Sequence, residues 1–360
     1  LGGNELTVIP QEIGNLVNLQ SLYLYDNQFT SIPSEIGNLT NLRTLDIAFN
    51  QISDIPNELF SLSNLEELYL YGNNLTGQIP LSIGNLTNLK FLSLGENSLT
   101  GQIPDEITNL ENLEEIDLGN NNFSGQIPSN IGSLVNLVWL YLYGNNLNGL
   151  IPHDIINLEH LKVIDLASNN ISGIPIGIEN LSNLEELYLY ENNLTGQIPL
   201  SICSLTNLKF LSLGKNSLTG QIPNEITNLE NLVGIDLAYN NLSGEISQNI
   251  GNLVSLEMLN LYQNNLTGQI PDEITNLQNL KAIDLSYNNF SGEIPYDIGN
   301  LINLEYLALF YNNLNGEIPS SIGNLVNLNL LVLGENQLSG QIPNEICNIN
   351  TNSIIENSDI

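Results

Sequence analysis

Along Leu65 to Asn88, LEELYLYGNNLTGQIPLSIGNLTN, leucines or isoleucines fall at offsets 1, 4, 6 and 11, an Asn at 9 and an Ile-Pro pair near 15. The register restarts at Leu19, Leu42, Leu65, Leu89, Leu113, Leu137, Leu161, Leu184, Leu208, Leu232, Leu256, Leu280, Leu304 and Leu328. The period is 24 residues, shortened to 23 in the repeats that begin at Leu19, Leu42 and Leu161. A fixed period in this range is the signature of a solenoid, whose repeats bury their apolar edges only against one another.

The spacing also predicts what each repeat does. Leu68 and Leu70 alternate with Tyr69 and Tyr71, a period of two that argues a short strand with one face inward and one in solvent. Asn73 and its equivalents, from Asn27 to Asn336, form a column of amides. Such a column can satisfy the backbone groups exposed where each strand turns away. Gly77 permits a turn, Ile79 enters the core, and Pro80 starts a return path on which SIGNL is long enough for about one helical turn.

The motif LxxLxLxxNxLxGxIPxxIxNLxN resembles the plant-type leucine-rich repeat, as found in ectodomains of plant receptor-like kinases and in polygalacturonase-inhibiting proteins, and it runs from Leu1 to about Asn350. The resemblance implies an α/β solenoid: a right-handed leucine-rich-repeat superhelix with a parallel concave β-sheet and about 14 to 15 repeats of 24 residues. It implies recognition rather than catalysis. Two departures stand out: the cysteine-paired caps usual in such ectodomains are absent, and no kinase or membrane segment follows.

Composition narrows the partners. Residues 1–350 read as one solenoid domain and 351–360 as a degenerate polar end. Six Lys and Arg against 39 Asp and Glu give a net charge of -33, which disfavours nucleic acid and anionic membrane. No apolar run is long enough for membrane insertion. Cys203 and Cys347 occupy one repeat position 144 residues apart. At about 4.8 Å per strand they would lie roughly 29 Å from each other, so no intrachain disulfide is expected and both read as small fillers.

The outward strand positions are the candidate binding surface. Tyr69 and Tyr71, Tyr141 and Tyr143, and Tyr188 and Tyr190 form outward pairs, and the one tryptophan, Trp139, precedes the second of these. Rigid amphipathic rings suit a protein, peptide or glycan ligand, although adjacent rings could equally stack along the sheet and cover it. Asp46, Asp117, Asp165, Asp236 and Asp284 share the outward face but never in consecutive repeats. Two strand steps separate the nearest Asp pair, about 10 Å, too wide for both to hold one metal ion. The second repeat position alternates in sign through Arg43, Glu66, Lys90 and Glu114, then Lys162, Glu185 and Lys209, then Glu257, Lys281 and Glu305, which predicts ion-pair ladders.

Catalysis, cofactors and metal find no footing. His153 and His160 have no matching nucleophile, and no His and Cys cluster suggests zinc. Ten sequons, at Asn38, Asn74, Asn85, Asn122, Asn170, Asn180, Asn193, Asn241, Asn265 and Asn289, are glycosylation candidates in a secreted eukaryotic protein, or matches that the turn imposes. A row of hydroxyls from Thr76 to Ser339, interrupted at Asn148 and Asn315, gives ice binding as a minor alternative. The reading is an extracellular or cell-surface, non-enzymatic scaffold that binds a ligand through Trp139, Tyr141, Tyr143, Asp165, Tyr188 and Tyr190, with Tyr69 and Tyr71. Its runner-up is a subunit of a head-to-tail filament or adhesive fibre, because the first strand begins at Leu1 in mid-repeat with Leu6 and Ile9 expected inward behind it.

Overall fold

The computed structural model describes residues 1–349 and the backbone of the strand Ile354–Ile355. The polar end expected at 351–360 lies outside the described residues, apart from that strand, which pairs in parallel with Leu330–Val332. Packing divides the chain into two compact units, Leu1–Leu184 and Glu185–Ile360.

In the first unit the principal strands Ser21–Tyr23, Thr44–Asp46, Glu67–Tyr69, Phe91–Ser93, Glu115–Asp117, Trp139–Tyr141 and Val163–Asp165 lie side by side, parallel and in chain order. The register follows the repeat, with Leu68 opposite Leu92 and Leu92 opposite Ile116. The second unit repeats the scheme with Glu186–Tyr188, Phe210–Ser212, Gly234–Asp236, Met258–Asn260, Ala282–Asp284, Tyr306–Ala308 and Leu330–Val332. One repeat shows why. Leu65, Leu68, Leu70, Leu75, Ile79, Ile83 and Leu86 are all buried, so each offset that the pattern marks apolar meets its equivalents in the neighbouring turns. Toward the N-terminus the reading needs correction at Leu6, which is 39% exposed, whereas Ile9 is buried as expected.

The return path is a 3-10 turn rather than an α-helix. Leu81–Asn85 follows Pro80, and the Leu86 N–H closes onto the Ile83 carbonyl. Short 3-10 turns leave room for a 24-residue circuit in which neighbouring backbones touch: a Cβ on Gly84 would sit 2.8 Å from the Glu106 carbonyl oxygen.

The amide column does what its spacing predicts. Asn121 Nδ2 donates to the carbonyls of Leu94 at 3.0 Å, Leu118 at 3.3 Å and Gly119 at 3.2 Å, and its Oδ1 accepts from the Leu99 N–H at 2.9 Å. A second amide column goes beyond the sequence reading. Asn88 donates to Ser63 O, Asn112 to Thr87 O and Asn136 to Glu111 O, at 2.8 to 2.9 Å, tying the loops ahead of the strands.

Each unit also has strands where the sequence predicted only a turn. Thr76–Gly77, Ser98–Gly101, Asn122–Gly125, Asn146–Leu150 and Asn170–Gly173 form a five-stranded sheet in the first unit. Thr195–Gly196, Ser217–Gln221, Asn241–Gly244 and Asn265–Leu266 form a four-stranded one in the second. The glycine at most of these turns has φ near +80°, as at Gly101, where a side chain would be strained; Gly173 does not share it.

Candidate functional site

In each principal strand the middle residue is buried and its two neighbours face outward. Trp139 therefore lies in register between Glu115 and Val163, and Tyr141 between Asp117 and Asp165. Tyr69 is in register with Asp46 and Ser93. Parallel neighbours stand about 4.8 Å apart, so Tyr141 has a carboxylate-bearing residue on either side. Burial first, then Glu67, Glu115, Asp46 and Tyr23, push the Tyr69 hydroxyl up to about 12.

Just beyond the strands, Tyr71 and Tyr143 lean over glycines. Tyr143 covers Gly119 so closely that a Cβ there would sit 2.4 Å from Cε1 of the ring. At Gly95 a Cβ would meet Asp117 Oδ2 at 2.8 Å and Tyr71 Cδ2 at 3.0 Å. The far edge of Tyr71 packs against Phe49, with ring centroids 5.2 Å apart. Burial and a hydrogen bond that its hydroxyl donates to Glu96 hold that hydroxyl protonated well above the usual range, with Tyr143 and Asp117 adding to the effect. Burial, followed by Asp117, Asp165 and Glu96, shifts Tyr143 the same way.

The aspartates depart from the sequence reading, which set them outward into solvent. Each is half-buried and turned back onto its own chain. Asp117 Oδ1 accepts from the Gly119 N–H at 2.9 Å, and Asp46, Asp165, Asp236 and Asp284 accept in the same way from the N–H two residues on. Ser93 Oγ adds a bond to Asp117 Oδ2 at 3.2 Å. Burial raises the Asp117, Asp236 and Asp284 carboxyls above the ordinary range, against the lowering effect of these hydrogen bonds.

In the second unit, Tyr188 stacks on Phe210 at 6.5 Å. Tyr190 has the Lys215 ammonium 5.0 Å from its ring centroid. The same unit holds an aromatic cluster that the sequence reading did not single out. Tyr239 and Tyr262 are 4.9 Å apart, Tyr262 and Tyr287 5.3 Å, Tyr287 and Phe310 5.4 Å, and Tyr287 and Tyr311 5.0 Å. The signal was present in the sequence, since Tyr239, Tyr287 and Tyr311 each sit immediately before a ladder Asn.

The remaining candidates fall elsewhere. All ten sequon asparagines are exposed: seven directly after a ladder Asn, and Asn38, Asn85 and Asn180 at the ends of 3-10 turns. The hydroxyl row is engaged by the protein itself, with Thr100, Ser172 and Thr219 donating to the carbonyls of Gly77, Gly149 and Gly196 at 3.0 to 3.2 Å. The charged column carries ion pairs along the second repeat position, as its alternating signs predicted. Glu66 takes both Arg43 and Lys90, Lys209 reaches Glu185 at 2.6 Å, and Lys281 reaches Glu257 at 2.7 Å, each lysine turning to the preceding repeat. Both cysteines are free, Cys203 buried and Cys347 exposed. Among the described residues no three His, Cys, Asp or Glu side chains converge on a metal position.

Comparison with known proteins follows the fold closely. The leucine-rich repeat region family matches residues 4–97 and 235–351, and a leucine rich repeat family matches 111–171, 135–194 and 159–218. No protein among those of curated function matches. The Arabidopsis receptor kinase HAESA, solved with the peptide hormone IDA and the co-receptor SERK1, is 34% identical with a TM-score of 0.82, over 96% of this chain and 63% of that one. The ectodomain of GASSHO1/SCHENGEN3 from Arabidopsis thaliana, in complex with CASPARIAN STRIP INTEGRITY FACTOR 2, is 37% identical with a TM-score of 0.70, over 94% of this chain and 47% of that one. The chain thus spans about half to two thirds of these receptor structures. A leucine-rich-repeat protein of Leptospira interrogans is 35% identical with a TM-score of 0.79, over 99% of this chain and 94% of that one. These relatives lend no support to the filament or ice-binding alternatives. With its repeats, its amide columns and these relatives, the chain belongs to the leucine-rich-repeat family, in its plant-type form.

Proposed function

We propose that this protein is an extracellular or cell-surface recognition scaffold without enzymatic activity, which binds a peptide or an extended protein segment on the outward strand face of its first unit. The contact residues are Trp139, Tyr141, Tyr143 and Asp165, extended by Tyr69 and Tyr71. Tyr188 and Tyr190 offer a second contact surface on the other unit. The observation that carries the reading is the Trp139–Tyr141 strand, whose outward rings lie in register with Glu115, Asp117 and Asp165. Large rings flanked by fixed acceptors supply contact area and orientation together. The HAESA and GASSHO1/SCHENGEN3 structures, solved with a peptide hormone and with CASPARIAN STRIP INTEGRITY FACTOR 2, support the same use of this fold. Among the described residues no helix is long and apolar enough to cross a membrane. Glycans on the ten sequons would lie outside the principal strands, in or beside the secondary strands and at the ends of 3-10 turns.

The test is selection of binders from a random octapeptide library, with a glycan array as the second arm. Trp139→Ala and Tyr141→Ala should each weaken the selected peptides by about tenfold or more, as truncation of a central aromatic anchor does. Tyr296→Ala, on the return path and 73% exposed, should leave them unchanged. Binding that survives both strand variants and is lost with Tyr296→Ala would refute the assignment, and glycans bound in place of peptides would replace the ligand class.

A further inference from the structure

Two stretches of the chain are near copies: LTNLKFLSLGENSLTGQIPDEITNLENL in the first unit recurs as LTNLKFLSLGKNSLTGQIPNEITNLENL in the second. Their geometry repeats as closely. A Cβ on Gly214 would meet Asp236 Oδ2 at 2.9 Å and Tyr190 Cδ2 at 3.0 Å, matching the 2.8 and 3.0 Å to Asp117 and Tyr71 at Gly95. Ser212 bonds Asp236 as Ser93 bonds Asp117. Glu96 and Lys215 share a left-handed backbone, with φ of 48° and 46°. The charge they carry is opposite.

We infer that Tyr71, Glu96, Asp117 and Tyr143 form a subsite for one organic cation, the guanidinium or ammonium of a ligand side chain, and that Lys215 is a built-in mimic of its occupant. In the second unit, the Lys215 ammonium sits over the ring of Tyr190, the counterpart of Tyr71, at 5.0 Å from the centroid and 3.7 Å from Glu191 Oε1. Within about 6 Å of an aromatic ring a cation is held by the ring's quadrupole. In the first unit the residue at that place is Glu96, which accepts from the Tyr71 hydroxyl; Asp117 lies beside the same ring at Gly95, and Gly72 stands where the second unit has Glu191. One difference shapes the subsite further. Gly119 lets Tyr143 fold down over the backbone, so Tyr71 and Tyr143 bracket the Gly95 and Gly119 floor from opposite repeats. Its counterpart in the second unit is Ala238, and there Tyr262 packs on Tyr239 and Tyr287 instead. The net charge of -33 draws cations toward the surface. Rings beside carboxylates fit an organic cation, as Lys215 over Tyr190 illustrates.

This inference rests on the proposed strand-face reading only for the identity of the molecule that bears the cation. Its test uses the full chain with ring-labelled tyrosine and two probes, N-acetyl-arginine amide and the isosteric, uncharged N-acetyl-citrulline amide. Tyr71→Phe and Tyr143→Phe assign the signals. The arginine probe should saturate the Tyr71 and Tyr143 signals and the citrulline probe should leave them unmoved. Glu96→Lys should weaken the response by about tenfold or more, and it installs the residue the second unit already carries, so the fold tolerates it. Lys215→Glu should create a response at Tyr190. Equal responses to both probes, or a response unchanged by Glu96→Lys, would overturn the subsite. A positive arginine response without any octapeptide binder keeps the subsite and removes the peptide reading. Octapeptide binders with no Lys or Arg enrichment and a silent probe do the reverse.

Discussion

The amide column should be the most sensitive part of the fold, and Asn121→Ala measures it. An N–H carries one proton, so removing Oδ1 strands the buried Leu99 N–H, whose bond is 2.9 Å long. A stranded buried donor costs about 1–3 kcal/mol. The three carbonyls that Asn121 serves lose less, because each keeps another donor: Leu94 O has Asn97 Nδ2, Leu118 O has Asn145 Nδ2 and Gly119 O has the Glu96 N–H. The total comes to about 3 kcal/mol, a large part of the net stability of an ordinary domain. Asn121→Asp should cost more, since it turns a carboxylate oxygen toward those carbonyls. Asn122→Ala is the matched control: the side chain is exposed, and the change should stay within about 0.5 kcal/mol. Denaturant midpoints followed by circular dichroism compare the three variants. An Asn121→Ala midpoint indistinguishable from that of Asn122→Ala would refute the claim that the column secures the turns.

Three further outcomes follow from the structure. Iodoacetamide at about pH 8 should add one adduct to the native chain, on exposed Cys347; burial, and after it Glu225, push the Cys203 thiol up to about 11, so a rapid second adduct in the mass spectrum would contradict this. Gly119→Ala should fold, since Ala238 fills the equivalent place, but should displace the Tyr143 ring and weaken the arginine response; an unmoved Tyr143 signal would count against the floor argument. Thermal midpoints should rise as pH falls from neutral toward the ordinary carboxylate range, because burial lifts the Asp46, Asp117, Asp236, Asp284 and Glu115 carboxyls above their unfolded values and the folded chain therefore binds protons more tightly there. Glu66, held low by Lys90 and Arg43, works the other way, and its contribution is lost only as pH falls through its lowered value; a midpoint that drops steadily as pH falls from neutral toward the ordinary carboxylate range would refute the balance.

The sequence by itself determined the repeat, the inward leucines, the amide column and the short return turn. Each is set by spacing, and a fixed period places equivalent residues side by side, so local pattern and long-range contact coincide. Leu68 finds Leu92 because both stand at the same offset. Only the tertiary structure decided what depends on the size and direction of a side chain in the next repeat. Tyr143 and Tyr262 occupy the same offset, yet one crowds against Gly119 while the other packs on Tyr239 and Tyr287, where Ala238 stands in place of that glycine. The aspartates look outward by alternation but fold back onto backbone N–H groups, because an unpaired donor near the strand end gains more from a carboxylate than from intermittent water. The turns after the amide column become strands because stacking at the repeat spacing aligns their free backbone groups with those of the neighbouring turn. A period fixes which residues are neighbours; the space beside each residue fixes what they do there.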